Sequence, residues 1–446
     1  MEPTLMVVGL NYRTAPVAVR ERFWIDESRR SEALLQLSTA EGIDEVIVLS
    51  TCNRTEFFFW AHDVTLAANS VMRLLSAEYG LKLCEWKHFY RLLDEAALLH
   101  IFRLASCLDS MVVGAPQIVP QVKKAWQQAR KLGASGRYLD AVLQKALAVS
   151  ERVHKETAIG KAKVSIPSTA VEFARQIFGK LENKQVFLIG AGEMSELFAR
   201  GLLELGGSSV RLGVINRTFQ NAVDLAAKLG GVAIPFEDRQ THLAEADIIV
   251  CSTSCPHTIL GYEEVEAIVS GRKSQVILGQ PLKTQPLVIV DLAMPRDVEP
   301  AVRDIHGVFL CDLDDLENVP DPNAHEREAA AVEANKILQA EAQGFRRKLS
   351  AERVVPTVVA LRSRLDEFCR QELDAFRQEN GPFSKDQDDM LNTVLARMTQ
   401  RIAGSLTREL KELPEKVEQE QLTSALHRLF HIPTAAQQAI ARTKTV

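Results

Sequence analysis

No run of apolar residues in this chain approaches the ~18 needed to cross a bilayer, and the opening residues, MEPTLMVVGL, carry no basic segment ahead of their apolar ones. Neither a membrane-spanning nor an exported protein is expected. Cysteine is sparse: Cys52, Cys84, Cys107, Cys251, Cys255, Cys311 and Cys369 are odd in number, scattered, and form no C-x-x-C pair. They read as reduced thiols of a cytoplasmic protein, and they offer no ligand cluster, so no metal is expected. An excess of positive charge is also missing, since 53 Lys+Arg against 58 Asp+Glu leave a formal charge of -5. A nucleic acid would have to be met by a local patch. What is present is ordinary for a folded protein: 46% hydrophobic and 25% charged residues, which excludes global disorder and small disulfide scaffolds. At ~150 residues per domain the length predicts about three domains.

The pattern along the chain divides it. Leu5 to Leu10 reads as a strand, and residues 28–40 as a helix opened by Asp26 and Ser28. EVIVLS (45–50) and TEFFFW (55–60) are further strands, separated by Thr51-Cys52-Asn53-Arg54, and residues 64–155 read as mainly helical. Segment 1–160 is thus predicted to be an α+β domain. In 161–318 the buried-strand candidates QVFLIG (185–190), VRLGVIN (210–216), ADIIVCST (246–253) and LVIVDLA (287–293) alternate with helices, which implies a Rossmann-like, doubly wound parallel sheet. Segment 319–446 loses the strand signals. Ala331, Leu338 and Phe345 recur every seven residues, with Asn335, Ala342 and Leu349 in the other seam position, and Leu361, Leu365, Phe368, Leu373 and Phe376 share a later helical face. The expected architecture is an α/β multidomain protein whose long helix leads to an all-α dimerisation domain.

Gly190-Ala191-Gly192-Glu193-Met194-Ser195 lies between the QVFLI strand and the helix MSELFARGLLEL, the setting a dinucleotide fingerprint requires. The first glycine permits the tight turn, the second lets pyrophosphate approach the backbone, and the helix start supplies amides; Ser195 replaces the third glycine. After the next strand comes Asn216-Arg217-Thr218, where an NAD site would carry an acid. An arginine and a hydroxyl suit a 2′-phosphate, so NADPH is the expected cofactor. Packing alone also produces Gly-rich turns, and Arg217 read by itself is a solvated loop cation.

A cysteine at a strand end is more often a small buried hydrophobe than a nucleophile, although Arg54 two residues on would favour a thiolate. The chain as a whole resembles the glutamyl-tRNA reductase family. The resemblance is carried by GLNYRTAPVAVRE (9–21), LSTCNRTEFF (49–58), HIFRLASCLDSMVVGAPQIVPQVK (100–123), KETAIGKAKVSIPSTAVEFA (155–174), LIGAGEMSELFA (188–199), INRT (215–218), IVDLAMPRDVEPAV (289–302), CDLDDLENV (311–319) and VVPTVVALR (354–362), in family order across nearly the whole chain. It implies NADPH-dependent reduction of glutamyl-tRNA(Glu) to glutamate-1-semialdehyde with release of tRNA, the first step of tetrapyrrole (porphyrin) biosynthesis from glutamate. Cys52 would form a thioester, and His100 would position or protonate groups at the ester. Arg54 would pair with the glutamate carboxylate, with Thr51, Asn53, Asp109, Ser110 and Gln117 as further substrate contacts. Without the resemblance, His100 in LLHIF is a satisfied core histidine and Asp109-Ser110 an unremarkable polar pair.

Where the family usually reads Gly-Glu-x-Gln-Ile, this chain has Gly114-Ala115-Pro116-Gln117-Ile118; Pro120 and Cys107 stand where the family tends to have glycine. These departures motivate a competing reading, a non-catalytic tRNA- or NADPH-binding regulator derived from the reductase. A small-molecule dehydrogenase of the shikimate-dehydrogenase type is a third, but it leaves the TCNR turn and the helical tail unexplained. Residues 120–163 hold ten Lys/Arg against three acids, a net +7 that suits phosphates; the bland reading is a solvated helix face. Expected partners are glutamyl-tRNA(Glu), a second copy of the chain, and, as the resemblance implies, the aminomutase that consumes the product.

Overall fold

Met6, Val7, Val8 and Leu10 have no exposed surface, so the strand they build, β1 (Thr4–Asn11), is covered on both faces. This is a computed structural model that describes residues 3–160, 165–206, 209–270, 275–277, 280–282, 286–319, 324–381, 383–412 and 416–432. Pro16, extended and lacking an N–H, precedes α1 (Val17–Arg20). Asp26 starts α2 (Glu27–Ser38) by accepting the amides of Ser28 and Arg29 at 2.9 Å each. The strands β2 (Ile43–Ser50) and β3 (Arg54–Ala61) form a hairpin, α3 (Val64–Tyr79) follows under an Asp63 cap, and β4 (Tyr90–Leu93) closes an antiparallel sheet of order β2-β3-β1-β4. The remaining helices are α4 (Asp94–Ala105), α5 (Ile118–Lys131) and α6 (Arg137–Glu156). β4 breaks the helical reading of 64–155; at four residues with only alternate positions half-buried, it is too short to leave a periodic signal.

Ser165 caps α7 (Ile166–Phe178), and the buried runs then become parallel strands. In order come β5 (Gln185–Ile189), α8 (Glu193–Gly206), β6 (Arg211–Ile215), α9 (Phe219–Leu229), β7 (Val232–Ile234), α10 (Arg239–Leu243), β8 (Ile248–Cys251) and α11 (Tyr262–Ser270). The antiparallel pair β9 (Gln275–Ile277) and β10 (Gln280–Leu282) stands apart, and β11 (Leu287–Asp291) and β12 (Val308–Cys311) complete a six-stranded parallel sheet of order β12-β11-β8-β5-β6-β7. The order reverses between β5 and β8, which opens a crevice beyond their carboxyl ends. Two apolar cores cover the sheet, and the one under α7, α8 and α9 also takes in Val17, Val112 and Ala115 of the first domain.

Residues 1–340 form one compact unit and 341–446 another, and α12 (Ala324–Asn380) runs through the boundary. In the first unit its buried residues are Arg327, Ala330, Ala334 and Leu338, the last as expected, while Ala331 and Asn335, also expected in the seam, are half-buried. Along the helix the buried apolar stripe runs Ala330, Ala334, Leu338, Ala342 and Phe345, so the seven-residue spacing holds from Leu338 to Phe345 and fails only before it. In the second unit, with α13 (Lys385–Glu412) and α14 (Lys416–Leu429), Leu361, Leu365, Ala403 and Ile432 form a small core beside Leu406 and Phe430. Phe376 lies outside it, exposed and stacked on Phe383. No described helix is long and apolar enough to cross a membrane.

Candidate active site

Side chains two apart on a strand share a face, so Arg54 and Glu56 of β3 enter the same buried layer. Arg54 Nη1 donates to Glu56 Oε1 at 2.6 Å and to Asp109 Oδ2 at 3.2 Å, and its other amino group donates to the Asp109 carbonyl. His100 Nε2 lies 3.0 Å from Glu56 Oε2 and its Nδ1 is 3.7 Å from Asp109 Oδ2. The Tyr90 hydroxyl donates to Glu56, and its ring meets the His100 ring edge-on at 5.5 Å. Arg13, half-exposed, closes the network with a 2.7 Å bond to Asp109 Oδ1. Burial raises the Glu56 pKa, but the charges of His100 and Arg54 outweigh it and hold the carboxyl at about 2. An ionised carboxylate only accepts, so His100 donates to it through Nε2–H. Beside this network is a cavity of about 290 Å³ lined by Asn11, Arg13, Tyr90, Leu99, His100 and Asp109 among others.

Arg54 was expected to hold its fork open for a substrate carboxylate. In the structure that fork is closed on Glu56 and Asp109, with the residue 2% exposed; the two internal carboxylates balance the charge of a guanidinium buried so deeply. Glu56, His100 and Asp109 bring one donor atom each within 4.8 Å, a metal-like spacing. The guanidinium of Arg54 already neutralises the carboxylates that an ion would need.

The turn between β2 and β3 is locked by backbone and by two residues from elsewhere. Thr51 N donates to Arg54 O at 2.8 Å, Asn53 N to Thr51 Oγ1 at 3.2 Å, and Tyr12 N to Asn53 O at 2.9 Å. Arg20 donates to the Cys52 carbonyl at 2.7 Å and to Asn53 Oδ1 at 2.9 Å. Thr51 therefore spends its side chain within the turn, and Asn53 spends its own on Arg20. Cys52 is half-buried and packs on the same apolar core as Met111, Ala191 and Met194. Burial raises its thiol pKa, while Arg20 and then Arg54 pull it down without overcoming the rise. Ser110 contributes through its carbonyl, which accepts from the Tyr12 hydroxyl at 3.2 Å. Gln117 is half-buried at the start of α5, making no capping bond.

Each departure from the family pattern has a local account. Cys107 has φ +61°, a left-handed conformation that glycine takes without cost, and burial pushes its thiol up to about 12, so it is inert. Ala115 is buried in the apolar core that Cys52 also borders, where a carboxylate would need a partner. Pro120 is the third residue of α5, a position whose N–H has no intrahelical acceptor.

In the nucleotide turn Gly190 has φ +103°, and a Cβ there would stand 2.9 Å from the Ser252 carbonyl, so only glycine fits. Gly192 and Glu193 are exposed, leaving the backbone open at the start of α8, while Met194 packs inward. Ser195 is buried and bonds Ser252 at 2.6 Å, serving the close helix–strand packing that the third glycine serves elsewhere. Asn216 Oδ1 accepts from Ala191 N at 3.3 Å and its Nδ2 donates to Thr218 O at 2.9 Å, tying the two loops together. Arg217 and Thr218 are exposed, and Arg217 makes no ion pair among the described residues. This open, amide-rich turn fits a dinucleotide.

Five participants went unassigned from sequence: Glu56, Tyr90, Arg13, Arg20 and Asp314. Glu56 left a signal, a lone charge inside the apolar run TEFFFW. Arg20 and Asp314 left none, because they are 294 residues apart.

Asp291 at the end of β11 accepts Ala293 N at 3.0 Å and Val298 N at 2.9 Å, stapling the loop from which Arg296 forms a forked pair with Glu21 at 2.9 and 2.6 Å. Burial and the neighbouring Asp297 raise its pKa to about 8. A raised carboxylate favours the fold while protonated, so that contribution is full below its ordinary value of 3.8 and is lost as pH rises through about 8. Asp291→Asn is expected to flatten the fall in thermal midpoint between about pH 4 and about pH 8, each tenfold change in proton affinity that it abolishes being worth about 1.4 kcal/mol. An unchanged pH profile in a melting series would refute this.

An α+β domain built against a dehydrogenase-type nucleotide-binding domain defines an oxidoreductase. Residues 8–157 match the model for the glutamyl-tRNAGlu reductase N-terminal domain, 172–319 that for shikimate / quinate 5-dehydrogenase, and 333–432 that for the glutamyl-tRNAGlu reductase dimerisation domain. The chain is 37% identical over 434 residues to a glutamyl-tRNA reductase of Pelobacter propionicus, covering 97% of each, and belongs to the glutamyl-tRNA reductase family. It is also 38% identical to a reductase of Desulforudis audaxviator, covering 96% of this chain and 94% of that one. Among solved structures, the glutamyl-tRNA reductase from Methanopyrus kandleri is 29% identical with a TM-score of 0.50, covering 96% of this chain and 99% of that one.

Proposed function

We propose that this chain reduces glutamyl-tRNA(Glu) to glutamate-1-semialdehyde at the expense of NADPH, opening tetrapyrrole synthesis from glutamate, with residues 1–160 handling substrate, 161–318 cofactor and 319–446 dimerisation. The observation that carries the reading is that Cys52 borders the same apolar core as Ala191 and Met194 of the nucleotide turn, within one compact unit. Cys52 attacks the ester carbonyl; the bond to the ribose oxygen breaks, tRNA leaves, and glutamate stays on sulfur as a thioester. Cys52 attacks as its thiolate, and His100, held by Glu56, protonates the departing ribose oxygen. Gly190–Ser195 would hold the dinucleotide, with Asn216, Arg217 and Thr218 at its adenosine end, and its reduced nicotinamide would supply the hydride. The carbon–sulfur bond then breaks to give the aldehyde and restore the Cys52 thiolate. Arg54 and Asp109 shape the glutamate site together with Thr51, Asn53, Ser110 and Gln117.

The exposed lysines Lys123, Lys131 and Lys155 on α5 and α6 suit tRNA phosphates, whereas Lys124, Arg130 and Arg152 are engaged with Glu27, Asp140 and Glu156. Lys161 and Lys163 lie outside the described residues. Met390, Val394, Met398 and Ile402 form an exposed apolar stripe at four-residue spacing on α13, which supports a homodimer. The aldehyde product is reactive, and direct handover to an aminomutase suits it. No observation favours the non-catalytic reading, since Ala115 and Pro120 are both accommodated locally.

Incubation with glutamyl-tRNA in the absence of NADPH tests the central step: glutamate should be trapped on Cys52 and located by mass spectrometry, and tRNA binding with no adduct would overturn it. Cofactor choice has its own test. Arg217→Ala is expected to weaken NADPH binding about ten- to a hundredfold, the loss of one or two charge-assisted bonds, and to leave NADH nearly unchanged in fluorescence titrations. Equal weakening of both would refute the 2′-phosphate assignment.

A further inference from the structure

We propose that Arg20 is a positioning residue for Cys52, and that Asp314 of the nucleotide-binding domain holds Arg20 in place, so that the cofactor domain sets the posture of the attacking sulfur. This rests on Cys52 being the thioester-forming nucleophile.

Arg20 is 2% exposed, and every bond it makes bears on the turn or on its support. Its Nε donates to Ala15 O at 3.1 Å, one amino group donates to Cys52 O at 2.7 Å and to Asn53 Oδ1 at 2.9 Å, and the other donates to Asp314. The second Asp314 oxygen accepts Val17 N at 2.7 Å, so one carboxylate grips both the start of α1 and the guanidinium at its end. The next residue, Glu21, receives the fork of Arg296, a second pair between the same two domains. A guanidinium with a planar, fixed fork of five N–H donors can join these four acceptors at once, which the three N–H groups of a lysine cannot.

Domain glue would need only the Asp314 pair. Two further bonds, to the Cys52 carbonyl and the Asn53 side chain, add nothing to domain adhesion, yet they fix the one turn on which the sulfur rides. The same positive charge is also the strongest electrostatic pull on the thiol toward its ionised form, ahead of Arg54. Position and charge thus reach Cys52 through one side chain, anchored from the domain that carries the hydride donor.

Full-length Arg20→Met, Arg20→Lys and Asp314→Asn proteins are compared with the wild type in two measurements. The first is the pH profile of iodoacetamide alkylation at Cys52, read by mass spectrometry. The second is single-turnover transfer of glutamate from glutamyl-tRNA to Cys52 without dinucleotide. For Arg20→Met the profile should move alkaline, with alkylation at neutral pH slowed about tenfold for each pH unit that the profile moves. Transfer should fall about a hundredfold, as for a nucleophile misplaced by about 1 Å, with KM for the tRNA little changed. Arg20→Lys should keep most of the alkylation profile but not the transfer rate, and Asp314→Asn should slow transfer while tRNA binding persists. Wild-type profiles and rates in both Arg20→Met and Asp314→Asn would overturn the proposal. Should Arg20→Met fail to fold, Asp314→Asn, whose carboxylate is partly exposed, decides alone. Wild-type protein that forms no adduct on Cys52 would instead sink the catalytic reading, and the alkylation profiles would still report on Arg20.

Discussion

Cys52→Ala protein supplied with glutamyl-tRNA and NADPH is expected to release no glutamate-1-semialdehyde above background, a loss of at least about a thousandfold for removal of a covalent nucleophile. The fold should survive the change. The turn is held by Thr51 N to Arg54 O, Tyr12 N to Asn53 O and Arg20 to the Cys52 carbonyl, none of which uses sulfur. Truncation removes one polarisable atom from the edge of an apolar core, a cost of about 1 kcal/mol. Binding of tRNA should therefore persist, so that loss of product is separable from loss of substrate. Cys52→Ser is expected to be nearly as inactive, for two reasons. A hydroxyl ionises far less readily than a thiol at neutral pH, and an oxygen ester accepts hydride no better than the substrate ester it replaces. Product at the wild-type rate from folded, reduced Cys52→Ala protein would remove the thioester from the mechanism.

What was legible in the sequence is what is set locally. The run QVFLIG, the glycine turn after it and the helix beyond are all determined within about twenty residues, and the structure has β5, the Gly190 turn and α8 there. The hairpin around Cys52 was readable for the same reason, as two β-rich runs around a short polar turn. Three short strands were not: β4, β7 and β12 have three or four residues each, too few for a period, whereas the equally short β8 was marked by its fully apolar run IIVC. In α12 the seam residues Leu338, Ala342 and Phe345 are buried as expected, and only at the helix's start does the buried stripe fall one residue earlier, on Ala330 and Ala334. The partners of charges were the least visible. Nothing near Arg54 in sequence says that Asp109, 55 residues on, will take its fork, and nothing near Arg20 points to Asp314. Long-range pairing of buried ions depends on how whole domains dock, and composition carries no trace of it.

Glu56 is where that long-range pairing carries the greatest energetic consequence. Its side chain has no exposed surface, and it accepts from Arg54, His100 and Tyr90 together. Glu56→Leu is expected to cost about 3–5 kcal/mol, because it leaves a buried guanidinium with only Asp109 to balance it. Glu56→Gln keeps the shape and some hydrogen bonds but not the charge, and it separates the two contributions through pH. The folded carboxyl sits at about 2 against an ordinary 4.5, so the stability it supplies is complete above the ordinary value and is lost as pH falls toward 2. A tenfold difference in proton affinity is worth about 1.4 kcal/mol, so wild-type protein should lose about 3 kcal/mol on acidification that Glu56→Gln has already lost at neutrality. Denaturant midpoints of the two proteins, far apart at neutral pH, should converge toward about pH 3. Parallel curves would mean that Glu56 is not ionised in the fold, and the donor assignment of His100 Nε2–H would fall with it. Activity separates the roles again: with no anion to orient it, the His100 ring loses its fixed orientation, so kcat should drop in Glu56→Gln even where the protein is fully folded.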